Sequence, residues 1–281
     1  MDFATNPLGL VTKSKPQLVE ILNDTYHAEH KPTYEVLMHL AVCHTVVVDK
    51  NKGVYNAASP DEQALVEGAK DQGFEFVGRE TDNVIVVKDP QGYSLRYKVL
   101  NVLEFNSTRK RMSIIVQNQQ TGYIELYSKG ADSIMEKLLL KGDREQDLAL
   151  EQTNGFIDLY SKEGLRTLML TKKDISQREY DAWNAKWEQA QLTIENRDDI
   201  IMAVSAEIEQ DMMLVGSTAI EDRLQDDVKE TIVSLKDAGI KIWVLTGDKI
   251  ETAIQIGFST GLLNDEMGLL KVDGTEFREI S

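Results

Sequence analysis

The feature that most constrains the fold is a run of alternating apolar and polar residues between Phe74 and Ser128. Four segments, NVIVVKD, YSLRYKVLNVLEF, RMSIIVQN and YIELYSKG, have this period of two, and Asp-Pro, Asn-Ser-Thr and Gln-Thr-Gly turns separate them. Alternation places successive side chains on opposite faces of a strand, and short turns join antiparallel neighbours. The sequence therefore predicts an antiparallel meander.

A helix is predicted directly before this meander, in the segment SPDEQALVEGAKDQG. Ser59 is a residue type that caps helices, Pro60 suits the first helical position, and Gly73 is typical of a helix end. After the meander, helical patterns cover 133–140, 145–163 and the polar region 176–209. A strand, RTLMLTKKD, lies between the last two.

The last third of the chain has a different pattern. MMLVGSTAI and KIWVLTGD are continuous apolar runs, and each is followed by an amphipathic helical segment, closed by Gly239 and Gly261 respectively. Strand, helix, strand, helix predicts parallel pairing in a doubly wound sheet. We therefore predict a lead-in segment (1–33), an α+β domain with a central antiparallel sheet (34–210) and a partial α/β domain (211–281).

Composition excludes several classes of protein. The net charge of −16 argues against non-specific nucleic-acid binding. The single cysteine, Cys43, cannot form an internal disulfide, lies in an apolar run that predicts a buried thiol, and fits a reducing, cytosolic setting. No stretch approaches the roughly 20 apolar residues of a membrane span, and no signal-peptide pattern opens the chain. We expect a soluble chain.

Two short motifs follow strand patterns and are candidates for ligand contact. In TGDK, the backbone of Thr246 and Gly247 and the start of the next helix could face a phosphate, with Asp248 near a ribose or a metal. A plain strand–helix connection capped by Asp248 explains this motif equally well. In KGAD, Lys129 could reach into a cleft and Gly130 would let the backbone approach a ligand, but a solvated lysine beside a helix cap fits too.

Two further candidates are an aromatic residue and an arginine. Phe105 ends a strand, where its ring could stack on a flat base, and Arg109, Lys110 and Arg111 form the densest basic cluster of the chain. A core phenylalanine beside a solvated turn is the competing interpretation. Arg166, between a helix-ending glycine and a strand, could fork onto phosphate oxygens or form a surface ion pair.

Taken together, the motifs carry a family resemblance. The segments LAVCHTVV, SPDEQALVEGAK, VLEFNSTRKRMSIIV, SKGADSIM, EGLRTLMLTKKDIS and TAIEDRLQDDVKETIVSLKDAGIKIWVLTGDKIETAIQIGFSTGLL resemble the cytosolic part of a P-type ATPase. The spellings SPDEQAL, RKRMS and EDRLQD resemble the phospholipid-flippase branch. The likeness extends over roughly Tyr34 to Leu263.

The resemblance implies a nucleotide-binding domain followed by part of a haloacid-dehalogenase-like phosphorylation domain, with ATP and Mg²⁺ as cofactors. It places Phe105 beside the adenine, Glu62 at the adenine amino group, Lys129 in the adenine pocket or at the phosphates, and Arg166 at phosphate or ribose. The γ-phosphate side is implied to hold Thr246, Gly247, Asp248 and, from IEDR, Asp222.

The sequence also departs from that family. The string Asp-Lys-Thr-Gly-Thr, which holds the phosphorylated aspartate, does not occur, and VDKNKG at 48–53 is not a version of it. The Gly-Asp-Gly-x-Asn-Asp motif, the membrane helices and the actuator domain are not found either. We expect a fragment that binds ATP, contributes no catalytic residue, and depends on the rest of a parent ATPase at the cytosolic face of a membrane.

Two other functions are compatible with parts of the sequence. A haloacid-dehalogenase-type phosphatase would suit the closing α/β pattern, but its Asp-x-Asp nucleophile is not found before the Thr-Gly-Asp strand. A non-catalytic nucleotide sensor or interaction module would use the acidic surface and the helical region 176–209.

Overall fold

The strands of the predicted meander pair consecutively in the computed structural model. The model describes residues 3–5, 15–49, 53–221, 227–246, 250–264 and 267–271. The strands in these ranges are β1 (Phe3–Thr5), β2 (Val47–Asp49), β3 (Val54–Asn56), β4 (Glu75–Glu80), β5 (Val84–Lys88), β6 (Ser94–Leu103), β7 (Arg111–Asn118), β8 (Ile124–Gly130), β9 (Arg166–Ile175) and β10 (Met213–Ile220). The helices are α1 (Lys15–Asn23), α2 (His30–Val42), α3 (Pro60–Asp71), α4 (Asp132–Met135), α5 (Arg144–Lys162), α6 (Gln177–Leu192), α7 (Arg197–Ile208), α8 (Val228–Asp237) and α9 (Ile250–Ser259).

One antiparallel sheet contains most of these strands. Its order is β1-β10-β9-β8-β7-β6-β5-β4, so neighbours in the sequence from β4 to β10 are also neighbours in space. The register sets Ile114 opposite Tyr127. The predicted central antiparallel sheet is confirmed, and β2 and β3 form a separate hairpin.

Because apolar side chains point to both faces of the sheet, they contribute to two apolar cores, one on each face. Ile114 belongs to a cluster with Leu37 of α2, whereas its neighbour Ile115 belongs to a second cluster with Trp183 and Trp187 of α6. The two tryptophan rings stack with centroids 5.3 Å apart and are buried, which makes them a packing ridge. Because both faces are covered, the central strands are buried along almost their whole length.

Helix α3 begins and ends where the sequence predicts, with one difference at its start. Pro60 is the first helical residue, and Gly73, with φ +95°, donates its N–H to the Lys70 carbonyl just beyond the end. The Ser59 hydroxyl makes no capping hydrogen bond, so that prediction is wrong. Only the Ser59 carbonyl is used, as the acceptor for the Gln63 N–H at 3.1 Å.

Strand β10 forms as predicted but in a different sheet arrangement. It pairs antiparallel with β9, with Thr218 opposite Leu168, and with β1 on its other side. Parallel pairing of this strand is therefore wrong, because the open edge of β9 provides its hydrogen-bond partners. The first compact unit runs to Glu221, interrupted at 161–165, whereas we predicted a domain boundary at 210/211.

The second compact unit consists of Ser161–Leu165 and Asp222–Ser281. Its described helices are α8 and α9, as predicted. Gly239 and Gly261 follow them with φ values of +77° and +74°, the left-handed conformation that ends many helices.

The predicted buried strand between these helices is not formed. Residues 241–246 have no regular secondary structure, and Trp243 and Leu245 are 82% and 95% exposed. A buried parallel strand needs neighbouring strands for its backbone groups. No strand of the described ranges pairs with this segment. The predicted parallel α/β sheet is therefore not confirmed.

Candidate functional site

Several predicted residues lie at one end of the large sheet. In an antiparallel meander the end of β6, the start of β7, the end of β8 and the start of β9 share an edge. Phe105 follows β6, Lys129 is near the end of β8, and Arg166 begins β9. The first turn of α3 reaches the same place, because its Asp61 and Glu62 contact the two cations.

Lys129 and Glu62 form a buried ion pair. The Lys129 Nζ lies 3.1 Å from Glu62 Oε1 and 2.7 Å from the carbonyl oxygen of Cys43, which lies just beyond the end of α2. Thr45 donates its hydroxyl to the other carboxylate oxygen of Glu62 at 2.8 Å. An ammonium has three N–H groups, and these contacts account for two of them. The pair therefore keeps capacity for one further acceptor.

The groups around Lys129 are held in neutral forms. His39 and His44 are fully buried, and burial, followed by the Lys129 charge, lowers the pKa of each imidazole to about 3. Burial raises the pKa of the Cys43 thiol to about 12, and Cys43 is the buried thiol that we predicted. These side chains are uncharged at neutral pH, so Glu62 is the only anion bonded to Lys129 among the described residues.

Arg166 forms an ion pair with Asp61, one residue before Glu62. The Nη1–Oδ2 distance is 3.0 Å, and the side chains are 46% and 35% exposed. Ion pairs with this exposure contribute little to stability, about 0–1 kcal/mol. The arginine is therefore partly exposed, and its partner Asp61 directly precedes Glu62 of the buried pair.

Gly130 is required by the packing of two neighbouring strands. A Cβ at this position would lie 2.5 Å from the Arg111 Cβ and 2.7 Å from the Lys110 carbonyl oxygen. The close approach of β7 therefore needs a glycine here, and an approach to a ligand stays a prediction. The next residue, Ala131, donates its N–H to that same Lys110 carbonyl at 3.0 Å.

Phe105 is exposed, so the interpretation of this residue as core is wrong. Its side chain is 63% exposed and lines a cavity of about 620 Å³ between the loop after β6 and the helices α6 and α7. Arg109, Trp187 and Arg197 line the same cavity. A cavity of this volume with aromatic and cationic walls has the size of a small-molecule site.

The basic cluster is not a solvated turn. Arg109 and Arg111 are both buried, and both donate to the carboxylate of Glu209, which is fully buried. Sequence reasoning missed Glu209. It follows α7 directly in a region read as a polar helix, and no local pattern indicates which acidic residue of such a region turns inward.

Only one of the remaining predicted residues lies in a described range. Thr246 is an exposed residue of the second unit. Gly247, Asp248 and Asp222 lie outside the described residues. Within the part of the chain that the structure describes, no group of three or more His, Cys, Asp or Glu side chains is arranged to hold a metal ion, and no helix is long and apolar enough to cross a membrane.

Comparison with known proteins supplies a family for this arrangement. Residues 33–227 match the family model described as P-type ATPase, cytoplasmic domain N. The chain is 44% identical to phospholipid-transporting ATPase DNF1 of Chaetomium thermophilum over 88% of its length, and 45% identical to phospholipid-transporting ATPase DRS2 of Saccharomyces cerevisiae over 90%. It is 48% identical to human phospholipid-transporting ATPase IC over 81%. The matched part spans only 16%, 18% and 18% of those relatives.

Proposed function

This chain belongs to the P-type ATPase family through its cytoplasmic domain N, and we propose that it binds ATP as part of a phospholipid-transporting member. The observation that carries the proposal is the buried Lys129–Glu62 pair at the end of the sheet where Arg166 begins β9 and the exposed Phe105 follows β6. In a chain of net charge −16, Lys129 and Arg166 are two cations at one end of the sheet. Glu62 and Asp61 balance their charges, so a phosphate would gain attraction there by replacing a carboxylate partner.

The base of the nucleotide would stack on Phe105. An exposed phenyl ring beside a cavity presents a flat apolar face, and stacking of a base on an aromatic side chain contributes about 1–3 kcal/mol. Glu62 would accept from the adenine amino group. Each carboxylate oxygen has two lone pairs, so its bonds to Lys129 and Thr45 leave it further acceptor capacity.

The cations would hold the rest of the nucleotide. Lys129 would use its third N–H on the adenine or the phosphates, and Arg166 would exchange Asp61 for a phosphate or ribose oxygen. The Arg166–Asp61 pair is partly exposed, and ion pairs of this kind contribute only about 0–1 kcal/mol. We place Thr246, Gly247, Asp248 and Asp222 of the second unit at the γ-phosphate side as part of the same proposal.

The described carboxylates of the site do not form a magnesium site of their own. Asp61 and Glu62 face Arg166 and Lys129, and a cation would have to compete with these partners. Mg²⁺ would therefore enter with the triphosphate, and no step of binding to the described residues depends on it.

Phosphoryl transfer requires a positioned donor, a metal and a nucleophile. The sequence lacks the Asp-Lys-Thr-Gly-Thr string, so we propose that this chain positions ATP without becoming phosphorylated. The phosphorylated aspartate, the actuator domain and the lipid-transporting membrane helices would be supplied by the rest of a longer ATPase, with this region at the cytosolic face. The domain division at 210/211 is part of this proposal.

Titration of the chain with a non-hydrolysable ATP analogue, by calorimetry and by chemical-shift mapping, tests the site. Phe105→Ala should weaken binding about tenfold, because the stacking contact is lost. Tyr93→Ala is a matched control. Tyr93 is 69% exposed, close to the 63% of Phe105, but it lies between β5 and β6 at the opposite end of the sheet. Equal affinity of the wild type, Phe105→Ala and Lys129→Ala would contradict the proposed site.

A further inference from the structure

The buried carboxylate of Glu209 is the centre of a polar cluster at the base of the Phe105 loop, defined as residues 104–110. Glu209 accepts from Arg111 Nε at 2.8 Å, from Arg111 Nη2 at 2.5 Å, from Ser113 Oγ at 2.5 Å and from Arg109 Nη2. The Glu209 side chain is 0% exposed, and those of Arg109 and Arg111 are 6% and 9% exposed. A cluster this deeply buried has one geometry, because a displaced partner would leave an unpaired charge.

The charges of this cluster do not balance. Two guanidinium groups share one carboxylate, and that carboxylate lies at the C-terminal end of α7, where the helix dipole disfavours an anion. If Arg109, Arg111 and Glu209 only filled the core, apolar side chains could occupy their positions. The cluster therefore holds something in place that apolar packing would not specify.

What it holds is the Phe105 loop. Arg109 reaches back to the start of the loop and donates from Nη1 to the Glu104 carbonyl at 2.9 Å. Arg111 donates from Nη1 to the Arg109 carbonyl at 3.3 Å. Between these ties the Arg109 N–H bonds Asn106 Oδ1 at 2.6 Å.

Among the described residues, no hydrogen bond or ring stacking supports the ring of Phe105 itself. It is 63% exposed, and its orientation follows the backbone on either side of it. Arg109 connects the polar cluster to the cavity that holds Phe105. It lines the same cavity as Phe105, and its guanidinium donates to Glu209.

We propose that Glu209, acting through Arg109, is a positioning residue for base binding: it fixes the Phe105 loop in the conformation that presents the ring to the nucleobase. The inference rests on the proposed nucleotide-binding function. According to this inference, Glu209 at the end of α7 raises the affinity for the base although it does not contact the nucleotide.

A double-mutant cycle on the whole chain tests the inference. Arg109→Met removes the tie to Glu104 but leaves the Arg111–Glu209 pair balanced, and it should weaken binding of a non-hydrolysable ATP analogue about tenfold. In the Phe105→Ala background the same substitution should have no further effect, because the ring through which it acts is gone. Amide hydrogen exchange at positions 109 and 110 should rise in the nucleotide-free variant.

A purely structural role would give a different pattern, and a control separates the two. Val204→Ala truncates a buried residue of α7 outside the cluster, so it should lower stability and leave nucleotide affinity unchanged. If Arg109→Met does not fold, Arg109→Lys keeps the charge and loses the two-armed fork, and it should show the same dependence on Phe105.

The outcomes distinguish the inference from the function on which it rests. No binding by the wild type, or no effect of Phe105→Ala, would overturn the proposed site and the inference together. A weakening by Phe105→Ala with wild-type affinity in both Arg109 variants would overturn the inference alone. So would effects of the Phe105 and Arg109 substitutions that multiply in the double variant.

Discussion

Two segments that the sequence predicts to be strands, β8 and residues 241–246, have opposite environments. In YIELYSKG every residue of β8 is buried, because β7 and β9 pair with its edges and helices cover both faces. In KIWVLTGD the exposed fractions of Trp243 and Leu245 are 82% and 95%. The comparison teaches that an apolar run becomes a strand only where other strands meet its backbone.

The largest difference between these segments should appear when a lysine is removed from each. Lys129→Met leaves Glu62 buried without its partner and should cost about 3–5 kcal/mol of unfolding free energy. Lys241→Met, at an exposed position of the second segment, should change stability by less than about 0.5 kcal/mol. Chemical unfolding, followed by tryptophan fluorescence in a Trp243→Phe background, reports the first unit through Trp183 and Trp187. Equal effects of the two substitutions would break the comparison.

Truncating one leucine in each segment sharpens the comparison without changing charge. Leu126→Ala in β8 opens a cavity in a fully buried position and should destabilise the first unit by about 2–5 kcal/mol. Leu245→Ala should have an effect within about 0.5 kcal/mol. Amide exchange of α8 and α9 reports the second unit. Marked loss of protection there would show that Leu245 is packed in solution.

The smallest effect, about 2 kcal/mol for each histidine between pH 6.5 and 5, concerns pH. In the folded state burial lowers the pKa of His39 and His44 to about 3, from an ordinary value near 6.5. The unfolded chain therefore takes up protons first, so stability is complete above pH 6.5 and falls as pH drops towards 3, by roughly 1.4 kcal/mol per pH unit for each histidine.

Substitution of one histidine tests this slope. His39→Gln should flatten the dependence of unfolding free energy on pH between 6.5 and 5 relative to the wild type. The second unit contains no histidine, so exchange protection of α8 and α9 should lack this slope. An unchanged slope in His39→Gln would contradict a buried, neutral His39.

Much of the first unit could be predicted because its signals are local. Alternation and turn residues indicated the strands, and Pro60 and Gly73 marked the limits of α3. The capping role of Ser59 was wrong because the capping hydrogen bond depends on side-chain geometry that a residue type does not determine. The residues of the candidate site came from motifs and family resemblance, and whether they bind nucleotide stays a prediction.

The sequence by itself determined where the strands of the meander and helix α3 form, since periodicity and turn chemistry involve residues a few positions apart. Tertiary structure alone decided that β10 joins β9 in antiparallel fashion, that the run 241–246 stays exposed, and that Glu209 is the counter-ion of Arg109 and Arg111. The reason is physical. A strand's partner and a buried charge's counter-ion lie far away along the chain. A strand pairs with a strand edge whose backbone groups still need hydrogen bonds, and a buried carboxylate pairs with a cation that still needs a counter-ion.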